Sequence, residues 1–548
     1  MVLRFGVLIG CIVLAFSFVV FHLYQVQLVK GGYYEARAAS QYLASSAVTA
    51  NRGLIYFTDK NGNVLPAAIN RDFPVIYAVP SAIEDASEAA NTLAPILGMP
   101  VGDLKTQFSK KTSAYDLLVR RADPSLAAEI ENLNMKGIYV DSEPGRFYPL
   151  GTIASQVIGF TGPSADSFGE TGHYGVEEFY NGALSGISAT ETDVTALALA
   201  SDGNLALTID PNIQTEAEKI LADLIKASGA TGGSVIVEDP QTGKVLAMGA
   251  SPDFDPNEYA SSSFSDFLNS NVQSVYEPGS IFKVLTMAAG IDAGKITPNT
   301  TYDDKGYVDV NRAHITNYDL TTHGPYGSGT TMTQVIEHSI NSGAIFAENQ
   351  IGNAIFTSYM KKFRLDQKTG IDLPGEVAGN LSQLNPKSPQ VDFDTVAYGQ
   401  GVAVTPVELV SAVGAIANGG TIMRPYVDAA LAPQAMGRVI SASTAKQVTQ
   451  MMVDAVDHAQ VANISGYSLA GKTGSAFMPD FVHGGYTNNL IDSYIGFGPT
   501  ADPRFIALIR LNTLPVTSLA AQSVVPAFKE LSQYIINYYN IPPDRVGK

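Results

Sequence analysis

The longest apolar stretch comes first. From Phe5 to Leu23 the chain reads FGVLIGCIVLAFSFVVFHL, without a charged residue. A helix rises about 1.5 Å per residue, so roughly 20 such residues cross the hydrocarbon of a bilayer. The stretch therefore predicts a membrane anchor over residues 1–24. Arg4 precedes it, and Tyr24, Tyr33 and Tyr34 follow where an interfacial aromatic belt belongs. With so short an N-terminus to translocate, the body is expected outside the cytoplasm. Two other processing signals fit poorly. Cys11 of the lipobox-like Leu8-Ile-Gly-Cys11 lies inside the apolar run rather than at its end, and the cleavage-like Ala36-Arg37-Ala38 lies well beyond it.

Further on, the period changes. Asn51–Tyr56 and Asp59–Leu65 read as two strands around Asn61-Gly62. Ser81–Leu133 turns helical, and Gly145–Gly186 reads as loops around short helices. A boundary falls near Leu205. Leu205–Ile209 is strand-like, and Asp210 caps a helix opening at Pro211. Gly233–Glu238 and Lys244–Gly249 alternate as a hairpin; helices start at Ser280, Met332 and Thr405. Strands return at Tyr467–Ala470, Ser493–Phe497 and Phe505–Leu511. The order predicts an α+β chain: an anchor over 1–24, an α+β region over 25–204, and over 205–548 an antiparallel sheet with helices packed on it.

Composition narrows the chemistry. The formal net charge is −18 and no Lys/Arg block is present, which argues against nucleic acid as a partner. The sole cysteine is Cys11, so an internal disulfide and a Cys-based zinc site are excluded. None of the histidines forms an H-x-x-x-H or H-E-x-x-H pair. No metal or cofactor is expected.

Three short motifs carry the chemistry: Ser280-Ile-Phe-Lys283, Ser339-Ile-Asn341 and Lys472-Thr473-Gly474-Ser475. Together they make the S-x-x-K, S-x-N, K-T-G set of penicillin-binding proteins and class A β-lactamases. Decoys exist for two of them. Ser443-Thr-Ala-Lys446 opens what reads as a surface helix, and Lys368-Thr-Gly370 lies in a Pro/Gly-rich loop. Gly466–Thr473 also satisfies the phosphate-loop pattern G-x-x-x-x-G-K-[ST], but the Gly and Pro residues that follow preclude the helix such a loop requires. Ser280 instead opens the apolar run IFKVLTMAAGI, placing it at a helix N-terminus. Residues i and i+3 share a helix face, which turns the Lys283 amine toward the Ser280 hydroxyl.

With Tyr276-Glu-Pro-Gly-Ser280, Thr369-Gly-Ile-Asp-Leu-Pro-Gly-Glu376, Gly399-Gln-Gly401, Gly145-Arg146, Gly175-Val-Glu177 and Arg52-Gly53 added, the chain resembles class B penicillin-binding proteins of the division type. The resemblance implies a pedestal (dimerisation-type) domain over 25–204 and a transpeptidase domain over 205–548. It also implies a membrane-anchored D,D-transpeptidase that cross-links D-Ala-D-Ala stem peptides in septal wall synthesis and is acylated by β-lactams. Expected partners are a SEDS-type glycan polymerase and other division proteins. Ser280 is the expected nucleophile and Lys283 its base, with a pKa lowered by desolvation and by Lys472. Ser339 relays a proton, Asn341 orients Lys283 and the substrate amide, and Lys472 and Thr473 bind the terminal carboxylate. By resemblance the N–H groups of Ser280 and Ser475 form the oxyanion hole; Ser475 stands where Thr is commoner. The motifs alone leave open a D,D-carboxypeptidase, against which the anchor and the large pedestal favour the transferase. The other alternative, a catalytically silent division scaffold, is disfavoured by the complete motif set. A β-lactamase or penicillin sensor would need a deacylating base for which no clear candidate appears.

Overall fold

The computed structural model describes residues 16, 52–113, 115–164, 170–186, 203–480, 483–515 and 519–545. The expected anchor, residues 1–24, lies outside the described residues except for Phe16, and among the described residues no helix is long and apolar enough to cross a membrane. The chain divides into two compact units.

One unit spans 70–145 and 161–171 together with Arg52. In it the end of the strand Val64–Ala78 pairs antiparallel with Asp116–Val119, Ile76 opposite Val119, and Ile138–Phe147 joins the same sheet. Helices Ala86–Leu97, Val101–Phe108 and Pro124–Asn132 pack Leu93, Leu104, Phe108 and Ile130 against Ile76. Asp85 and Asp123 cap the first and third by accepting backbone N–H bonds. The expected helical region 81–133 is thus interrupted by a strand. Leu117-Leu118-Val119 is too short an apolar run for its period to distinguish strand from helix.

The other unit takes 53–69, 146–160 and 172 onward, and it holds all three motifs. Its sheet runs, in spatial order, Ala470–Pro479, Tyr486–Gly498, Phe505–Pro515, Gly232–Glu238 and Val245–Ser251, every neighbour antiparallel. Helices Pro211–Ser228 and Val524–Tyr539 cover one face through Ile213, Leu221, Phe528 and Leu531. The larger core on the other face holds Phe282–Asp292 and Pro406–Ala417. These two helices are apolar nearly all round because they are buried nearly all round. Asp210 caps its helix as expected, with Asn212 N–H donating at 2.9 Å. One strand moves. The stretch expected at 467–470 begins only at Ala470 and runs on through the K-T-G triplet to Pro479. Glycines within it lower strand propensity, and a long antiparallel pairing with 486–498 overrides them.

Within this unit Arg146 and Glu177 form a buried ion pair, Nε to Oε1 2.7 Å, with side chains 1% and 0% exposed. The two residues come from separate segments of the resemblance.

Candidate active site

Ser280 lies in a single 3₁₀ turn, Gly279–Ile281, which leads directly into the helix Phe282–Asp292. The turn is pinned from three sides. Gly279 N–H donates to Gly399 O at 3.1 Å, and Tyr276 exchanges backbone bonds with Val404. Glu277 accepts from Gly401 N–H at 3.0 Å and from the Tyr486 hydroxyl at 3.1 and 3.0 Å. The Tyr-Glu-Pro-Gly-Ser and Gly-Gln-Gly segments, far apart in sequence, therefore meet.

The K-T-G strand is the edge strand of the sheet and closes on the same turn. A Cβ on Gly279, whose φ is +55°, would stand 2.6 Å from Ser475 O; one on Gly474 would stand 2.5 Å from Pro278 O. Only glycine permits that approach at either position. It brings the backbone of Ser475 against that of the nucleophile turn.

Ser339 sits between the helices Met332–Glu337 and Asn341–Ile351 with φ +59°, a left-handed conformation that costs a non-glycine residue on the order of 1 kcal/mol. This twist presents both its oxygens to the lysines. Lys283 Nζ donates to Ser339 O and lies 3.3 Å from Ser339 Oγ; Lys472 Nζ donates to the same Oγ at 2.9 Å. Lys472 also reaches Thr473 Oγ1 at 3.2 Å. Both lysines are buried, 0% and 4% exposed. Burial pushes the Lys283 amine well below the ordinary lysine range, the Lys472 charge pushes it the same way, and Asp319 opposes them. Burial alone lowers Lys472 to about 7.

Ser280, Lys283, Ser339, Lys472 and Thr473 thus come together in one cluster, with two departures from the expected contacts. Lys283 hydrogen-bonds Ser339 rather than Ser280, whose half-buried hydroxyl makes no hydrogen bond among the described residues. Asn341 makes no hydrogen bond to Lys283 among the described residues; its Nδ2 donates to Thr316 O at 2.9 Å and so fixes the loop beside the S-x-N turn. Ser475 Oγ donates to the buried Asp492 at 2.7 Å across the strand pair, and Ser523 donates to the other carboxylate oxygen at 3.0 Å. Asp492 belongs to no motif, and only the fold reveals its place.

The decoys sit elsewhere. Ser443 and Lys446 are exposed on the helix Ala442–Ala459, and Lys368 is exposed on a loop. Thr369 N–H and Oγ1 both donate to Glu376 at 2.6 Å, and Gly370 N–H donates at 3.1 Å, so this triplet builds a turn around a carboxylate. Lys472 of the phosphate-loop pattern lies inside a strand that is followed by another strand, so it opens no helix N-terminus for phosphate.

Comparison with known proteins agrees with this architecture. Residues 233–533 match the penicillin-binding protein transpeptidase domain and residues 47–198 the penicillin-binding protein dimerisation domain. Stage V sporulation protein D of Bacillus subtilis is 31% identical over 93% of this chain and 81% of its own length. Peptidoglycan D,D-transpeptidase FtsI of Escherichia coli is 27% identical over 99% of this chain and 92% of its own. The crystal structure of penicillin-binding protein 2X from Streptococcus thermophilus shares the fold, with a TM-score of 0.70 at 22% identity, covering 90% of this chain and 81% of that one. The chain belongs to the class B penicillin-binding proteins, serine-type D,D-transpeptidases of cell-wall synthesis.

Proposed function

We propose that Ser280 attacks the penultimate D-alanine carbonyl of a stem peptide and forms an acyl-enzyme that an amine of a second stem peptide resolves. The convergence of Lys283 and Lys472 on Ser339, beside an unencumbered Ser280, is the observation that carries this reading. Burial biases the Lys283 amine toward its neutral form, which keeps two N–H bonds for Ser339 and leaves a lone pair for the Ser280 proton. Such general-base help is typically worth about 10²–10⁴-fold. A hydroxyl accepts two hydrogen bonds, so Ser339, receiving from both lysines, keeps its own proton to direct at the departing amine. Lys472 and Thr473 hold the terminal carboxylate, Asn341 keeps the cleft wall in place for the substrate amide, and Gly474 leaves room for the backbone. The N–H groups of Ser280 and Ser475 polarise the carbonyl, each such donor typically worth about 10²–10³-fold.

The remaining assignments extend this reading. Residues 1–24 anchor the chain, 25–204 form the pedestal and 205–548 the transpeptidase domain, with septal duty beside a SEDS-type polymerase. In the pedestal, Tyr115, Leu117 and Tyr139 are exposed, and Tyr115 and Tyr139 stack on Tyr77 at 4.8 and 5.6 Å, an aromatic patch suited to docking. Purified full chain, given a pentapeptide donor and an amine acceptor, is expected to release D-alanine and form the transferred product. Release of D-alanine with hydrolysis alone would make the protein a carboxypeptidase.

A further inference from the structure

The resolving half of the reaction needs an acceptor that arrives as a cation, because a primary amine is protonated near neutral pH. The structure carries a fixed carboxylate near the S-x-N turn that no motif includes. The loop 317–326 lies between strands Ala313–Thr316 and Gly327–Thr331 and is tied to the S-x-N helix at both ends. Asn341 donates to Thr316 O at 2.9 Å, and Ser342 N–H to Asn317 Oδ1 at 3.0 Å. Buried Asp304 accepts from Tyr326 N–H at 2.8 Å, from Asn317 and from the Ser342 hydroxyl. The loop is therefore hydrogen-bonded to the helix that follows Ser339.

Asp319 is at the crest of this loop and half-buried. The Tyr326 hydroxyl donates to its Oδ2 at 2.5 Å, and the Tyr326 ring is itself clamped between His323 at 4.2 Å and His338 at 4.7 Å. Oδ1 accepts no hydrogen bond among the described residues. The tyrosine that holds Asp319 packs its ring on His338, the residue before Ser339, so the carboxylate is tied to the S-x-N turn, and its charge acts on Lys283 and His338.

We propose that Asp319 is a specificity-determining residue for the second half-reaction, binding the ammonium group of the acceptor stem peptide through Oδ1. The inference rests on the transpeptidase reading of the site. The ammonium docks against Asp319 and sheds one proton to solvent. Its nitrogen then attacks the ester carbonyl: the C–N bond forms, the C–O bond to Ser280 breaks, and a second N–H proton returns to Ser280 Oγ through the lysine–serine pair. Tyr326, whose hydroxyl donates to Asp319, is a positioning residue.

The test compares two nucleophiles on full-length protein acylated by a D-alanyl thioester donor: Nα-acetyl-lysine amide, cationic at neutral pH, and hydroxylamine, neutral there. Asp319→Asn is expected to lower transfer to the lysine amide, relative to hydroxylamine, by about tenfold, the size of a lost charge-assisted hydrogen bond. Asp319→Glu, which keeps the charge, should recover part of that ratio, and Tyr326→Phe should reduce it by a smaller factor. An unchanged ratio in Asp319→Asn overturns the proposal, as does an equal fall with both nucleophiles, the mark of a structural role. Failure of the unsubstituted protein to transfer to either amine while still hydrolysing the donor overturns the transpeptidase reading, and the proposal with it.

Discussion

Lys283 is bonded to Ser339, through both the backbone carbonyl and the hydroxyl, and not to Ser280 three residues before it. On the proposed mechanism this parks the base on its relay partner, with its lone pair free for the nucleophile. Catalytic hydrogen bonds are often long in a ligand-free site and close only around substrate. Lys283→Ala is expected to slow penicillin acylation by about 10²–10⁴-fold without unfolding the protein. Stopped-flow acylation rates with circular dichroism as the folding control check this. An acylation rate within a few fold of the parent would remove Lys283 from the role of base.

Lys472 sets the pH response. Its pKa of about 7 means the free protein loses the Lys472 charge as pH rises through neutrality. A carboxylate ligand favours the charged form, so acylation efficiency should decline on the alkaline side of about 7. Lys472→Arg stays charged throughout, since guanidinium titrates above about 12. Its residual activity should therefore lack that alkaline decline. A pH profile of the second-order acylation rate for both proteins checks it, and an identical decline in the arginine variant would assign the titration elsewhere.

The Arg146–Glu177 pair makes a claim about stability alone. Removing one partner of a fully buried ion pair leaves an uncompensated charge and typically costs about 3–5 kcal/mol. Glu177→Ala should therefore lower the denaturation midpoint markedly while the folded fraction is acylated at the normal rate. Denaturant melts paired with active-site titration separate the two effects. A loss of acylation in fully folded protein would show that the pair also shapes the site.

How much of this was legible beforehand follows from where each signal lies in the chain. Ser280 and Lys283 share one turn of helix, and the apolar run behind them announces a buried helix, so local pattern sufficed. The decoys Ser443 and Lys368 were separable for the same reason, by the loops and surface pattern around them. Sheet order was not legible, because pairing of Phe505–Pro515 with Gly232–Glu238 joins residues far apart in sequence. Nor was the Asp492 bond to Ser475, which depends on the register of two strands. The left-handed Ser339 carries no sequence mark, since a serine there gains its strained φ only from the helices on either side. Asn341 was assigned to Lys283 on the strength of its motif, while its amide in fact holds the Thr316 loop.

The central claim is that Ser280 is the acylated nucleophile, and it is tested most directly by peptide mass mapping of the penicillin adduct. Full-length protein treated with benzylpenicillin should carry one adduct, on the peptide containing Ser280. Ser280→Ala should carry none while keeping its melting temperature, because the Ser280 hydroxyl caps neither helical segment and makes no hydrogen bond among the described residues. Ser443→Ala, on an exposed helix start, should label like the parent. An adduct on Ser443, or on any serine of the Ser280→Ala protein, would contradict the assignment.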